Sequence, residues 1–223
     1  MQIDCPLCKS LKINDYYKEK VGFKRLFYRC SDCLLIFLDP RLHLPKSLEK
    51  SRYEQHNNSE RSTGYVNFLN TLINPLKKYI STSMRGLDFG SGPYPMLCEL
   101  MSEENYSIEG YDPYFKPNEA LLRGTYDYVT CCEVVEHFNY PGKDLKILFD
   151  LVRPGGFVGI RTSLFEEQIS FPDWHYINDD THISLYSKES MHWIAENFDS
   201  EIKEINSNVI IYQKNQRQIQ IES

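Results

Sequence analysis

Apolar residues fall along this chain in two rhythms. Between positions 85 and 165 they form short runs broken by glycine, proline and acidic residues, and these alternate with stretches of helical period. The pattern predicts strands over 86–90, 107–112, 126–132 and 156–162, with helices over 95–103 and 143–152 between them. Upstream, Phe68, Leu69, Leu72, Ile73, Leu76 and Ile80 share one face of a helix beginning near Tyr65, and Pro75 is expected to kink or divide it. Downstream, Ser187 reads as the N-cap of a helix that puts Met191, Ile194 and Phe198 on one side. Two closing strands, about 201–206 and 208–213, are joined tightly at Ser207. Such alternation predicts a doubly wound α/β sheet. Only thirteen residues separate Asp112 from Tyr126, so the third strand of that sheet is expected to be short or absent.

The first forty residues follow another plan. Cys5-Pro6-Leu7-Cys8 and Cys30-Ser31-Asp32-Cys33 are two C-x-x-C knuckles twenty-one residues apart, the spacing of a zinc ribbon. Four thiolates close a tetrahedral Zn²⁺ site, which makes Cys5, Cys8, Cys30 and Cys33 structural ligands and leaves no open position for chemistry. Residues 15–28 alternate aromatic and charged side chains as a short hairpin would, and a module this small needs its ion to hold a shape. Leu34 stands after the second knuckle where such ribbons often carry glycine, which is expected to loosen the turn. These features divide the chain into a zinc-ribbon module over 1–40, a helical linker or cap over 41–84, and an α/β domain over 85–223.

Chemistry concentrates at Leu87-Asp88-Phe89-Gly90-Ser91-Gly92-Pro93 and at Asp112. Gly90 and Gly92 let the backbone bend and a ligand approach, the following helix offers N–H groups, and Asp112 closes the next strand where a carboxylate can accept both hydroxyls of a ribose. A dinucleotide fingerprint would need a third glycine where Pro95 stands, and prolines remove N–H donors a pyrophosphate would use, so a nicotinamide-dependent oxidoreductase is disfavoured.

The turn, its acid, the segment from Tyr126 through Glu133-Val134-Val135-Glu136-His137, and Leu151-Val152-Arg153-Pro154-Gly155-Gly156 resemble, in order, the motifs of class I S-adenosylmethionine (SAM) methyltransferases. The likeness extends to bacterial members carrying an N-terminal four-cysteine module, through Arg52-Tyr53-Glu54-Gln55-His56-Asn57, Trp174-His175-Tyr176 and Asp180-Thr181-His182. The resemblance implies a Rossmann-like seven-stranded sheet shortened around its third strand. It also implies SAM as cofactor, with Asp88, Gly90 and Gly92 around the methionine end, Asp112 on the ribose, and Glu133 and Arg52 as further cofactor contacts. Glu133, Glu136, His137 and His182 resemble the divalent-metal site of small-RNA 3′-terminal 2′-O-methyltransferases, and the E-x-x-E-H part that of ubiquinone-pathway O-methyltransferases. Mg²⁺, Mn²⁺ or Zn²⁺ would suit such donors.

Trp174, His175, Tyr176, Asp180, His182 and Tyr186 are expected to form a lid over a small acceptor, with His137, His182, His175 and Tyr176 as catalytic candidates. The reading is methyl transfer to a small hydroxyl-bearing molecule. Its alternative is a non-catalytic SAM- or nucleoside-binding module whose ribbon docks a protein or RNA partner.

Charge narrows the partners. The net charge of −6 divides into ten Lys/Arg against six Asp/Glu in residues 1–50 and fifteen against twenty-five in the rest, so the α/β part repels polyanions and bulk nucleic-acid binding is not expected. No apolar run approaches a membrane span, no charged-then-apolar leader opens the chain, and a cytoplasmic location without membrane association is the expectation. Seven cysteines in that setting argue for thiols and metal ligands.

Overall fold

The computed structural model describes residues 3–20, 25–54 and 61–216. In chain order these form β1 (Ile13–Lys18), β2 (Leu26–Cys30), β3 (Ile36–Leu38), α1 (Lys46–Glu54), α2 (Thr63–Leu76), β4 (Arg85–Phe89), α3 (Met96–Glu103) and β5 (Ser107–Tyr111). There follow β6 (Tyr126–Cys132), α4 (Pro141–Asp150), β7 (Val152–Arg161), β8 (Ser184–Leu185), α5 (Lys188–Asn197), β9 (Ser200–Ile205) and β10 (Val209–Lys214). His56 and Asn57 lie outside the described residues.

The main sheet has the order β5-β4-β6-β7-β10-β9. Its first four strands are parallel, and β10 runs antiparallel between β7 and β9. Six strands are present among the described residues rather than seven. Between β5 and β6 the chain makes only an isolated bridge, Asp112 to Lys116, and a 3-10 turn at Leu121–Arg123. The connection is too short to leave the sheet and return. Leu69, Leu72, Ile73 and Leu76 of α2 cover one face together with Met96, Leu97, Leu100 and Met101 of α3. On the other face lie Leu145, Leu148 and Phe149 of α4 and Met191, Ile194 and Ala195 of α5. No helix among the described residues is long and apolar enough to cross a membrane.

Most local expectations hold, and the exceptions have plain causes. Ser187 caps α5 through a capping box with Ser190. Pro75 does not divide α2: it stands in the last turn, where no further turn remains to be broken. Leu34 does not loosen its knuckle. It takes the left-handed conformation itself, φ 59°, as Lys9 does after the first knuckle at φ 62°. Each knuckle then closes in the same way, Cys5 N–H donating to Ser10 O at 2.9 Å and Cys30 N–H to Leu35 O at 3.0 Å.

The N-terminal sheet has the order β1-β2-β3-β8, so its fourth strand comes from the far end of the chain. Ile36 pairs with Leu185 and Phe37 with Ser184. Gly142, near the start of α4, donates its N–H to Pro6 O at 3.2 Å, and a Cβ there would fall 2.3 Å from Leu7 O. Cys5, Cys30, Cys33, Leu35 and Phe37 belong to the same apolar cluster as α4 and α5.

Candidate active site

The glycine turn closes β4. Gly90 and Gly92 have φ of 83° and 66°, which only glycine adopts without strain. The Gly90 and Ser91 N–H groups both donate to Tyr111 O, at 2.8 and 3.0 Å, and fix the turn to the end of β5. A Cβ on Gly92 would meet nothing within 4 Å, so the backbone there faces open space. α3 begins just beyond with no side chain capping its first turn. Asp112 draws the surrounding backbone together: one carboxylate oxygen accepts the Gly92 N–H at 3.0 Å, the other the Tyr114 and Phe115 N–H groups at 2.8 and 3.0 Å. Open backbone at a glycine turn, helix N–H groups and an acid closing the next strand fit an adenosyl cofactor.

Asp88 stands beneath this turn. Its buried carboxylate accepts the Thr130 hydroxyl at 2.7 Å and faces the Cys98 thiol at 3.9 Å. Burial pushes its pKa up to about 6, against the two hydrogen bonds and with a further push from Asp112.

The second half of the site is built at the end of β6. Glu133 takes φ 53°, a strained conformation for a non-glycine residue, and donates its N–H to Arg161 O at 2.8 Å. The next residues turn as a 3-10 helix, Val135–His137, so Glu133, Glu136 and His137 do not share an α-helical face. They converge by another route. The Tyr176 hydroxyl donates to Glu136 at 2.6 Å and reaches Glu133 at 3.2 Å, and the Thr162 hydroxyl donates to Glu136 at 3.0 Å. Burial pushes Glu136 up, against the Tyr176 and Thr162 hydrogen bonds, and pushes Glu133 up as well, with Glu136 adding to it. The Arg161 guanidinium holds Glu133, donates to Thr71 at 2.9 Å and lies 3.6 Å over the Phe68 ring, which ties the site to α2.

The His137 and His182 rings lie with centroids 4.9 Å apart and their planes inclined by 60°. His137 Nδ1 is 2.9 Å from Thr181 O and His182 Nδ1 is 2.7 Å from Tyr176 O. A carbonyl can only accept, so in both rings Nδ1 carries a proton, and each ring in its neutral form presents its lone pair at Nε2. The ligand atoms of Glu136, His137 and His182 lie within 4.8 Å of one another. Glu133 is not of that group: its carboxylate is engaged by Arg161 and Tyr176, so the four-residue metal set expected from sequence reduces to three.

Other expected positions are corrected. His175 is exposed, with the Tyr176 ring 6.3 Å away, and stands outside the cluster around Glu136. Trp174 and Tyr176 pack with Phe27, Ile36, Phe165 and Phe171 in the core beneath the lid segment, and Tyr186 is buried with its hydroxyl on Val135 O at 3.0 Å. Large aromatic surfaces at this density found one another. Asp180 is exposed and pairs with Arg25 at 3.4 Å. Arg52 lies 3.4 Å from Asp179, an acid that Thr181 hydrogen bonds hold down at about 2 despite its burial.

Sequence reasoning missed Arg161, Thr162, Glu49 and Tyr114. A charged residue ending the apolar run Phe157-Val158-Gly159-Ile160-Arg161 was the signal available for the first; Thr162 meets Glu136 across 26 residues and Tyr114 meets Glu49 across 65, and neither pairing leaves a local signal.

The cysteine cluster is compact. Sγ of Cys5 and Cys33 are 3.4 Å apart, those of Cys8 and Cys30 3.5 Å, and all four lie within 4.8 Å of one another. A tetrahedron with Zn–S of about 2.3 Å has S–S edges of about 3.8 Å, within that range. The donor set and spacing fit zinc.

A parallel sheet extended by an antiparallel pair, with a glycine turn and an acid at adjacent strand ends, defines a Rossmann-like protein of the class I SAM-dependent methyltransferase fold. Comparison with known proteins goes one step further. The family model described as a methyltransferase domain matches residues 45–205, and the chain belongs to that family. The ubiquinone biosynthesis O-methyltransferase of Shewanella pealeana is 31% identical over 83 residues, which are 37% of this chain and 35% of that protein. The enzyme of the same name from Escherichia coli O157:H7 is 31% identical over 121 residues, 40% of this chain and 50% of that protein. The chain thus spans about a third to a half of the length of these curated relatives. Among solved structures, magnesium protoporphyrin IX methyltransferase from Synechocystis PCC 6803 aligns with a TM-score of 0.54 at 12% identity, over 76% of this chain and 95% of that one. An O-methyltransferase family protein from Burkholderia thailandensis gives 0.52 at 12%, over 76% and 64%. At that identity the likeness concerns the fold.

Proposed function

We propose that this protein transfers the methyl group of SAM to a hydroxyl of a small-molecule acceptor, with His137 as the general base. SAM supplies a methyl carbon on a sulfonium, whose leaving group is already activated. The chain's residues then have to align the acceptor, exclude water and take a proton. Gly90 and Gly92 give the open backbone for the cofactor, Asp112 its ribose contact, and Asp88 supports the turn from below. As the acceptor oxygen forms its bond to carbon and the carbon–sulfur bond breaks, the hydroxyl proton passes to His137 Nε2. The observation that carries this reading is the pair of carbonyl-anchored imidazoles, which fixes two Nε2 lone pairs beside Glu136.

A second reading is favoured by one observation. Glu136, His137 and His182 offer one carboxylate and two imidazoles within 4.8 Å, a donor set that suits a divalent ion gripping the acceptor oxygen. In either reading the four cysteines hold a structural zinc.

Calorimetry with SAM, followed by transfer of labelled methyl to a panel of small phenols and polyols, tests the proposal. Asp112→Ala should weaken SAM at least about tenfold, the loss of ~1.4 kcal/mol. His137→Gln should leave SAM affinity alone and lower turnover by about 10²-fold or more. A wild-type protein that takes up no SAM would remove the function altogether. Metal analysis separates the two readings: one zinc per chain supports the base alone, and a second ion lost in His182→Ala supports the metal.

A further inference from the structure

α1 buries no residue, yet it sits between the two halves of the site. The Tyr53 ring meets the His137 ring edge-on with centroids 5.1 Å apart, and its hydroxyl donates to Glu49 at 2.9 Å. The other Glu49 oxygen accepts the Tyr114 hydroxyl at 3.0 Å. Tyr114 is the residue whose backbone N–H is held by Asp112, and Asp112 in turn holds Gly92. Both phenols stay protonated donors. Burial and the Glu49 charge raise Tyr53 well above its ordinary value and push Tyr114 up to about 12.

We propose that Glu49 is a positioning residue that couples His137 to the cofactor loop, by holding Tyr53 against the imidazole with one oxygen and Tyr114 with the other. The proposal rests on the reading of Asp112 as a ribose contact. The Gly92, Tyr114 and Phe115 N–H groups already take three of the roughly four acceptor positions of this carboxylate, so a ribose that offers two hydroxyls has to share or displace one of them, and the loop after β5 moves when the site fills. Tyr114 carries that movement to Glu49, and Glu49 carries it to Tyr53 and the His137 ring. α1 has no fully buried residue and is held to the site through the half-buried Glu49 and Tyr53, so it resists such a shift little. Coupling of this kind is reciprocal, so the acceptor affinity and the cofactor affinity change by the same factor, and the acceptor pocket takes its final shape only after the cofactor is in place.

The test is NMR of the histidine rings in the full-length protein, titrated with S-adenosylhomocysteine, with the His137 signals assigned by their loss in His137→Gln. Calorimetry is run in parallel. Wild type should show a His137 shift that tracks occupancy. Tyr114→Phe keeps the ring and removes only the hydroxyl; it should bind the nucleoside within about threefold of wild type and lose most of the shift. Glu49→Gln, which keeps the shape and one acceptor oxygen, should do the same and guards against misfolding of either variant. A full shift retained in both variants overturns the proposal, as does a wild-type His137 that ignores bound nucleoside. Absence of any binding heat in wild type overturns the SAM reading itself, and that outcome is distinct from the other two.

Discussion

Asp88 offers a stability test of how the cofactor turn is built. Its carboxyl is fully buried beneath the turn, and burial raises its pKa from 3.8 to about 6. A carboxyl whose folded value lies above its unfolded value favours the fold while it is protonated. That contribution is complete below pH ~4 and is lost as the pH climbs through about 6. The shift of roughly two units corresponds to ~3 kcal/mol over the whole window, and about half of it, ~1.4 kcal/mol, falls between pH 5 and 7.5. Asp88→Asn keeps the shape, keeps an acceptor for the Thr130 hydroxyl, and does not titrate. Urea unfolding of both proteins, followed by tryptophan fluorescence with zinc present, should therefore show the variant gaining on wild type by about 1.4 kcal/mol across that range. Any pH effect on the thiolate cluster is common to both proteins and cancels in the difference. Parallel stability curves would refute the reasoning, because they would mean that the carboxylate ionises as readily in the fold as outside it. Nucleoside affinity gives a second readout: a residue that supports the turn from below leaves it within about threefold, and a tenfold loss would place Asp88 on the ligand.

Zinc removal should reach the acceptor side. Taking ~4 kcal/mol as the binding contribution lost at about a thousandfold excess over Kd, chelation should lower the melting temperature by about 10 °C, and hydrogen exchange should accelerate over residues 36–38 and 183–185 together; unchanged protection at 183–185 would show that β8 holds without the ribbon. Gly142→Ala pushes a methyl to 2.3 Å from the Leu7 carbonyl and should cost about 2 kcal/mol in chemical unfolding. Its control is Gly64→Ala, where the nearest atom is Ser62 Oγ at 4.0 Å, and a neutral or slightly stabilising change is expected.

What could be read from the sequence was local. The strand runs, the Ser187 cap and the cysteine spacing each declare themselves within a few residues, and each stands where it was expected except that β7 opens at Val152, four residues before the run over 156–162, through an irregular pairing with Tyr126. The Glu133, Glu136 and His137 cluster was also legible, but through the wrong geometry. The i, i+3, i+4 spacing would share a face only in an α-helix, whereas a left-handed Glu133 and a 3-10 turn bring the two acids together on Tyr176. The lid was misjudged because aromatic density says nothing of direction. Trp174 and Tyr186 satisfy the same composition by packing inward. Arg161, Glu49 and Tyr114 went unread because the Arg161–Glu133 and Glu49–Tyr114 pairs are fixed only by the tertiary fold.

The most consequential contact that periodicity could not reveal is β8, two residues long. Ile183, just before it, donates its N–H to Glu136 O at 2.9 Å, and its own carbonyl accepts the Leu38 N–H at 2.9 Å. Two backbone hydrogen bonds therefore separate a strand of the cysteine module from the main chain of Glu136, the residue whose carboxylate lies beside the two imidazoles. Ser184 adds a bond from its hydroxyl to Phe138 O at 2.8 Å, and Tyr186 one to Val135 O. The 3-10 turn bearing His137 is thus held on one side by the end of β6 and on the other by a strand that the ribbon completes. Thr181 and His182, which anchor and face His137, lie in the same stretch of chain immediately before β8. The shared strand ties the cysteine module to the turn that carries His137, so folding of the module and geometry at His137 are one problem.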